Sequence, residues 1–503
     1  MDLQPPPLPT SEPAAPVAAR TDLVFAAIGL AAVSDFLFWG TGPGGTAFAL
    51  FLVVVALAFT ASAQRRSRLL PLLLVLNGAA AVQAVLEFKP STAFVSSVLL
   101  LAIVGEAHFD LGAVSARWFS ALLAALFPFR AFGHLRGVGR AAQAARAEGR
   151  IRGDLILRAI QAGVPAFLLA VVFSACFANG NAIFHKISSD LFSRLFDWLA
   201  HIDLSFGRFV FWAVVFTGSL SLLRPARSRI VEWAAGRSLP RWQRADEALG
   251  RWQSIAILVV LNALFFSVNT IDVVYLWSHA TLPAGVNPSE FLHEGVTSLI
   301  LAVIASAVVL VLLFQQRLAV GCRLLQWLAS AWVLQNIVVI AGVFLRLKLY
   351  VDDFQLTLLR VGVALFLLLV VTGFGLLTVY FWRDEGLGWL CKTNALATFL
   401  LFFFVQFADL GGAIANYNVG RYLADGKHRP DVEYLASLGH DAWPALIQLS
   451  HRDPKYSGLA DALNAASEGA KTELTLGWRG WELRPTQHSR ELLEHLGQPL
   501  PKR

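Results

Sequence analysis

The chain has 503 residues, of which 56% are hydrophobic and 15% charged, with a formal net charge of +7. That balance excludes an ordinary soluble globular protein. It also excludes a nucleic-acid reader, because the basic residues cluster between long apolar runs and no aromatic-basic platform or nucleic-acid motif stands outside them. Cys176, Cys322 and Cys391 are widely separated in or beside apolar runs, and they form neither a disulfide framework nor a metal-ligand spacing.

Residues 1–20 are rich in Pro and Ala and are expected to be a disordered tail. With one Arg and no small-residue cleavage site, they do not read as a signal peptide, so Leu23–Trp39 is predicted to be a retained first span. Ten more spans follow at Thr46–Ala63, Leu69–Leu86, Thr92–Gly105, Leu155–Phe177, Phe209–Leu223, Ile255–Leu276, Val296–Phe314, Leu324–Leu345, Thr357–Trp382 and Ala395–Ile414. Each is long enough, or nearly so, to cross a hydrocarbon core of ~30 Å as a helix. Two further apolar stretches are predicted to lie along the membrane surface: Val114–Pro128, with Arg117 and Arg130 at its ends, and Phe184–Leu199, which four charges interrupt.

The expected fold is an all-α polytopic bundle of about eleven transmembrane helices with a small C-terminal helical domain. Its divisions are a tail over 1–20, an N-terminal membrane segment over 21–154 with an Arg-rich loop, a membrane core over 155–417 and a helical tail over 418–503. The tail begins where the composition turns to ordinary soluble sequence, and its charged, weakly apolar make-up predicts separate folding. Arg65, Arg66 and Arg68, seven arginines from Arg117 to Arg152 and seven from Arg224 to Arg251 all fall on one side of the span order. The positive-inside rule then puts the N-terminus in the cytoplasm and the C-terminus outside, with anionic lipid as partner of the Arg-rich loops.

Three stretches together resemble a known family: Phe173–Phe184 (FSACFANGNAIF), Asn262–Ile300 (with NTIDVVYLWSHATLPAG and FLHEG) and Leu345–Arg360 (LRLKLYVDDFQLTLLR). NYNVGRY, DVEYLASLG and DAWPAL, within Asn416–Leu446, extend the likeness. They look like the bacterial polytopic membrane proteins gathered under domain of unknown function 4173. The resemblance implies a multi-pass protein of the bacterial inner membrane and no particular activity. His293-Glu294-Gly295 departs from that pattern, where an aromatic-rich turn carrying Arg is expected.

A carboxylate inside an apolar run is costly, of order 3 kcal/mol, and is normally kept for a purpose. Asp272 is such a residue, and Asn262, Asn269 and Tyr275 recur with it at near-helical spacing. At similar expected depth lie Asn181 after span 5, His293 and Glu294 opening span 8, Arg360 one turn into span 10 and Asp409 in span 11, where Gln406, Asp409 and Asn416 share a face. Arg360 is expected to face Asp272 or Asp409, since an unpaired guanidinium at that depth is costly. Asn77, Asn262, Asn269, Gln335 and Asn336 also read as interhelical hydrogen-bond glue.

Asp272, Asp409, Arg360, Asn269, Asn181, His293 and Glu294 are therefore the ligand-binding or coupling candidates. No catalytic residue, metal or cofactor is assigned: His293-Glu294 lacks the second His of a zinc-protease helix, and no nucleophile elbow, phosphate loop or dinucleotide fingerprint occurs. Three functions remain open. One is a transporter of a small polar or lipid-linked envelope solute. Another is a non-catalytic scaffold or sensor whose tail binds an envelope partner. The third is a lipid-modifying enzyme with His293 as base.

Overall fold

The computed structural model describes residues 21–40, 44–64, 67–109, 114–126, 206–223, 247–278, 288–314 and 322–501, with positions 135 and 138. Every regular element among them is a helix. Five are long and apolar enough to cross a membrane: Pro90–His108, Arg251–Trp277, Arg323–Phe354, Leu358–Trp382 and Leu387–Val405. Their faces are extensively apolar and open, with Leu359 78% exposed, Phe266 67% and Phe404 66%. Large apolar side chains turned outward over several long helices need a hydrocarbon surrounding, and they mark a membrane protein. The predicted spans at Thr46–Ala63, Leu69–Leu86 and Phe209–Leu223 appear as shorter apolar helices, Val296–Phe314 falls within the helix Pro288–Phe314, and Leu155–Phe177 and Phe184–Leu199 lie outside the described residues.

The chain divides into two compact units, residues 1–81 with 96–235 and residues 82–95 with 236–503. The first holds α1 (Thr21–Phe38), α2 (Gly45–Ala61), most of α3 (Leu70–Leu86) and α4 (Pro90–His108), α5 (Val114–Leu126) and α6 (Phe206–Leu223). Within it α1 packs on α2 and α6, and α5 packs on α6. Arg208 of α6 grips Asp35 of α1 through both Nε and NH2, and it lies over the rings of Trp39 and Trp212. The described part of α5 covers 13 residues. Its Arg117 does not mark a wetted helix end as expected: it is buried and donates to Glu106 at 2.9 Å, while Trp118 and Ser67 donate to the same carboxylate.

The second unit holds α7 (Glu247–Asp272), a π-helical turn (Val273–Trp277), α8 (Pro288–Phe314), α9 (Arg323–Phe354), α10 (Leu358–Trp382) and α11 (Leu387–Val405). There follow α12 (Leu410–Asp425), α13 (Val432–Ser437), a 3₁₀ turn (Gly439–Ala442), α14 (Trp443–Arg452), α15 (Leu459–Thr475) and α16 (Leu483–His495). The hub is α9, which packs against α7, α8 and α10. Its Trp332, Ile340 and Val343 are buried with Leu258, Leu310, Leu367 and Phe374 in one core. A separate core joins Ala415 and Val419 of α12 to Leu435, Leu446, Leu463 and Leu492.

Two predicted boundaries need correction. Span 9 was expected to end at Leu345, with Arg346 in a loop, but α9 continues to Phe354 because no Gly or Pro interrupts the run and Arg346 finds an anion. Predicted span 11 is two helices. Its chain turns at Gln406–Asp409, where the Asp409 carboxylate accepts the Gly412 N–H at 2.8 Å and caps α12. Asn416 therefore does not continue the face of Gln406.

Candidate functional site

The side chains of Asn262, Asn269 and Asp272 leave α7 at intervals of seven and three residues, so they form one stripe. It meets a matching stripe on α9. Asn262 donates to the Leu328 carbonyl at 3.1 Å, Asn269 donates to the Gln335 carbonyl at 3.1 Å, and Gln335 donates to Asn262 Oδ1 at 2.8 Å. Contact positions rise together along both helices, so α7 and α9 run parallel, as the intervening α8 requires.

At one end of the seam Arg346 closes on Asp272. NH1 donates to Oδ2 at 2.8 Å and NH2 to Oδ1 at 2.6 Å, and both residues are 4% exposed. The bidentate geometry compensates the desolvation of each charge, and removal of one partner leaves the other stranded. Gly342, one turn before Arg346, makes room: a Cβ there would stand 2.8 Å from Asp272 Oδ2. Directly after Asp272 the helix widens into the π turn, where both Ser278 N–H and Oγ reach the Val273 carbonyl. Along the seam Asn269 Oδ1 and Gln335 Oε1 are buried without hydrogen-bond partners among the described residues, as is Asn336 Oδ1 on α9. The seam thus contains an ion pair and open acceptors together.

Arg360 was expected to face Asp272 or Asp409, and it faces neither: the partner of Asp272 is Arg346. Arg360 donates to the carbonyls of Phe354 and Gln355 and lies 4.4 Å over the Tyr350 ring, so it caps the end of α9. Asp409 acts as a helix cap and Asn269 lies in the seam. Asn181 falls outside the described residues, as do the side chains of His293 and Glu294, although α8 includes both positions. Arg346, Gln335 and Gly342 were missed as site residues. Their spacing of four and seven residues, in phase along α9, is the signal that finds them.

The turn joining α9 to α10 carries a second, strained feature. Gln355 has φ 71° and ψ 168°, a region that essentially only glycine enters freely and that costs of order 1–3 kcal/mol elsewhere. Its surroundings hold it there. Asn418 accepts the Leu356 N–H and donates to the Leu356 carbonyl, both at 2.8 Å. Arg421 donates to the carbonyls of Val351 and Asp352, and Tyr434 accepts the Leu358 N–H. The Gln355 side chain bonds the Arg429 carbonyl and the Asp431 N–H. Residues of NYNVGRY and DVEYLASLG thus strap down residues of YVDDFQLTLLR.

A third polar cluster gathers on the loop between α3 and α4. Buried Glu87 pairs with Lys89 at 2.7 Å and with Arg484 of α16 at 2.9 Å, while Glu482 accepts the Phe88 N–H. Lys89 lies 3.8 Å from Asp441. Burial alone pushes Asp441 up, but contact with His440 and the positive charge of Lys89 bring its carboxyl below the ordinary value. For His440 burial favours the neutral ring, yet the neighbouring Asp441, Glu87 and Glu482 raise its pKa.

No curated protein and no solved structure matches the chain. A family model does match, over residues 25–449, and it is described as Domain of unknown function (DUF4153) rather than 4173 as the motifs led us to expect. The match takes in both sides of the α7–α9 seam and the strap residues Asn418, Arg421 and Tyr434, and the chain belongs to the DUF4153 family.

Proposed function

We propose that this protein is a multi-pass transporter or translocator of the bacterial inner membrane, handling a small polar or lipid-linked envelope solute. Its N-terminus is cytoplasmic and the residues after α11 face the envelope. The α7–α9 seam is the coupling element, with Asp272 and Arg346 as the switchable charge pair and Asn269 as a polar contact for the solute. The observation that carries this reading is the desolvated Asp272–Arg346 pair beside a π turn and the Asn269 and Gln335 acceptors, unpartnered among the described residues. A cavity of about 570 Å³ between α8, α10 and α11, lined by Ile304, Val308, Phe366 and Phe374 with Asn394 at its wall, supports the lipid-linked class. Asp409 and Arg360 have capping roles and are left out of the coupling set.

The test is a double neutralisation, Asp272→Asn with Arg346→Met, in cells lacking the native gene. The pair removes both charges together, so abundance is expected to stay near normal while the knockout phenotype is not rescued. Full rescue by the neutral pair would reduce Asp272–Arg346 to a structural contact and remove the coupling element.

The strap supports a second reading, a scaffold or sensor in which an envelope partner of the tail acts on α9. That reading predicts rescue by the neutral pair and loss of rescue by Asn418→Ala.

A further inference from the structure

His440 and Asp441 lie on the 3₁₀ turn before α14, and His488 lies on α16. One nitrogen of each imidazole and a carboxylate oxygen of Asp441 fall within 4.8 Å of one another. His440 Nδ1 stands 3.1 Å from Asp441 Oδ1. Both atoms are buried, and apart from this contact with each other neither has a hydrogen-bond partner among the described residues. Two donors sharing a metal at about 2.0–2.2 Å stand about 3.0–3.5 Å apart, so this spacing is that of a coordination edge.

His488 supplies the independent observation. Its Nδ1 lies 2.9 Å from the His440 carbonyl. A carbonyl only accepts, so Nδ1 carries the proton and Nε2 of the neutral ring carries the lone pair. Metal-binding histidines are oriented in this way, with the second nitrogen donating to a backbone carbonyl. Asp441 is also fixed from behind: a Cβ on Gly411 would stand 2.6 Å from its carboxylate, so the close approach of α12 requires glycine there.

We propose that His440, Asp441 and His488 form a binding site for a zinc-class divalent cation, with three protein ligands and one open position. Two imidazoles and one carboxylate suit zinc, whereas magnesium and calcium take all-oxygen shells. Lys89, beside Asp441 Oδ2, leaves Oδ1 as the coordinating oxygen.

The experiment uses the full chain in detergent, stripped with chelator, then titrated with zinc chloride by calorimetry and with cobalt chloride by visible absorption. One equivalent is expected to bind, with the d–d bands of a four-coordinate N/O site. Loss of an outer-shell partner alone typically lowers metal affinity about 10–100-fold, so His440→Ala or His488→Ala is expected to lower it at least that much. His428→Ala, in a different loop, leaves it unchanged. Should the alanine variants aggregate, His488→Gln replaces them, and the unaltered protein remains decisive. A wild-type chain that takes up no zinc, or affinity unchanged in a folded His440→Ala or His488→Gln variant, overturns the site.

Discussion

Asn418 holds Leu356 by both backbone groups, accepting its N–H and donating to its carbonyl at 2.8 Å each. An amide side chain acts here as a strand partner would, and it satisfies a turn that α9 and α10 leave without helical bonds. Asn418→Ala strips both contacts from half-buried backbone and is expected to cost about 1–3 kcal/mol. Asn416→Ala, two residues earlier on an exposed face, is expected to change stability by less than about 0.5 kcal/mol. Thermal unfolding in detergent separates the two, and equal effects would deny the strap its role.

Arg346→Met leaves the Asp272 carboxylate buried without its guanidinium, a loss of about 3–5 kcal/mol. Adding Asp272→Asn is expected to recover most of it, because no charge is then stranded. Losses that simply add in the double variant would show that the two side chains are not energetically coupled.

Gly342→Ala places a methyl group 2.8 Å from Asp272 Oδ2, and the pair must open to admit it. Overpacking of this kind costs about 1–3 kcal/mol. Gly362, on α10, has nothing within 4 Å of such a methyl, and Gly362→Ala is expected to stabilise by about 0.5–1 kcal/mol through helix propensity. Opposite signs in the melting temperatures are the expected result.

Glu106 accepts from Arg117, Trp118 and Ser67 and has no exposed surface. Glu106→Ala removes all three acceptor contacts and is expected to cost about 3–5 kcal/mol, read as loss of folded protein after mild heating. Glu106→Gln keeps the volume and one acceptor, and its loss is expected to be smaller.

Truncation after Arg421 removes Asp431 and Tyr434 from the strap and uncovers Ala415 and Val419. The truncated chain is expected to accumulate poorly despite intact apolar helices. Normal abundance would show that the membrane helices stand without the strap.

The membrane character and helical class were legible because an apolar run needs no partner to be recognised. Asp272 was legible for the same reason, as a charge in the wrong solvent. Its partner was not. Arg346 was expected in a loop beyond span 9, and only the continuation of α9 from Leu345 to Phe354 brings it onto a helix facing Asp272. The break at Gln406–Asp409 was read as polar positions within one span, because the capping bond that Asp409 accepts from the Gly412 N–H is local chemistry that hydropathy does not register. Asn418 and Arg421 read as ordinary polar residues of the tail because their partners are backbone atoms of another segment.

With 32 residues, α9 is about 48 Å long, well beyond the ~30 Å a bilayer core needs. One of its ends is held by the contacts of Asn418 and Arg421. Each residue turns the helix by about 100°, so the strap at Val351–Leu358 sets the rotational phase at which Arg346 points, only five residues before the first clamped carbonyl. The strap therefore fixes the register in which Arg346 meets Asp272, and a turn of the clamped end by one residue's angle would carry the guanidinium away from the carboxylate.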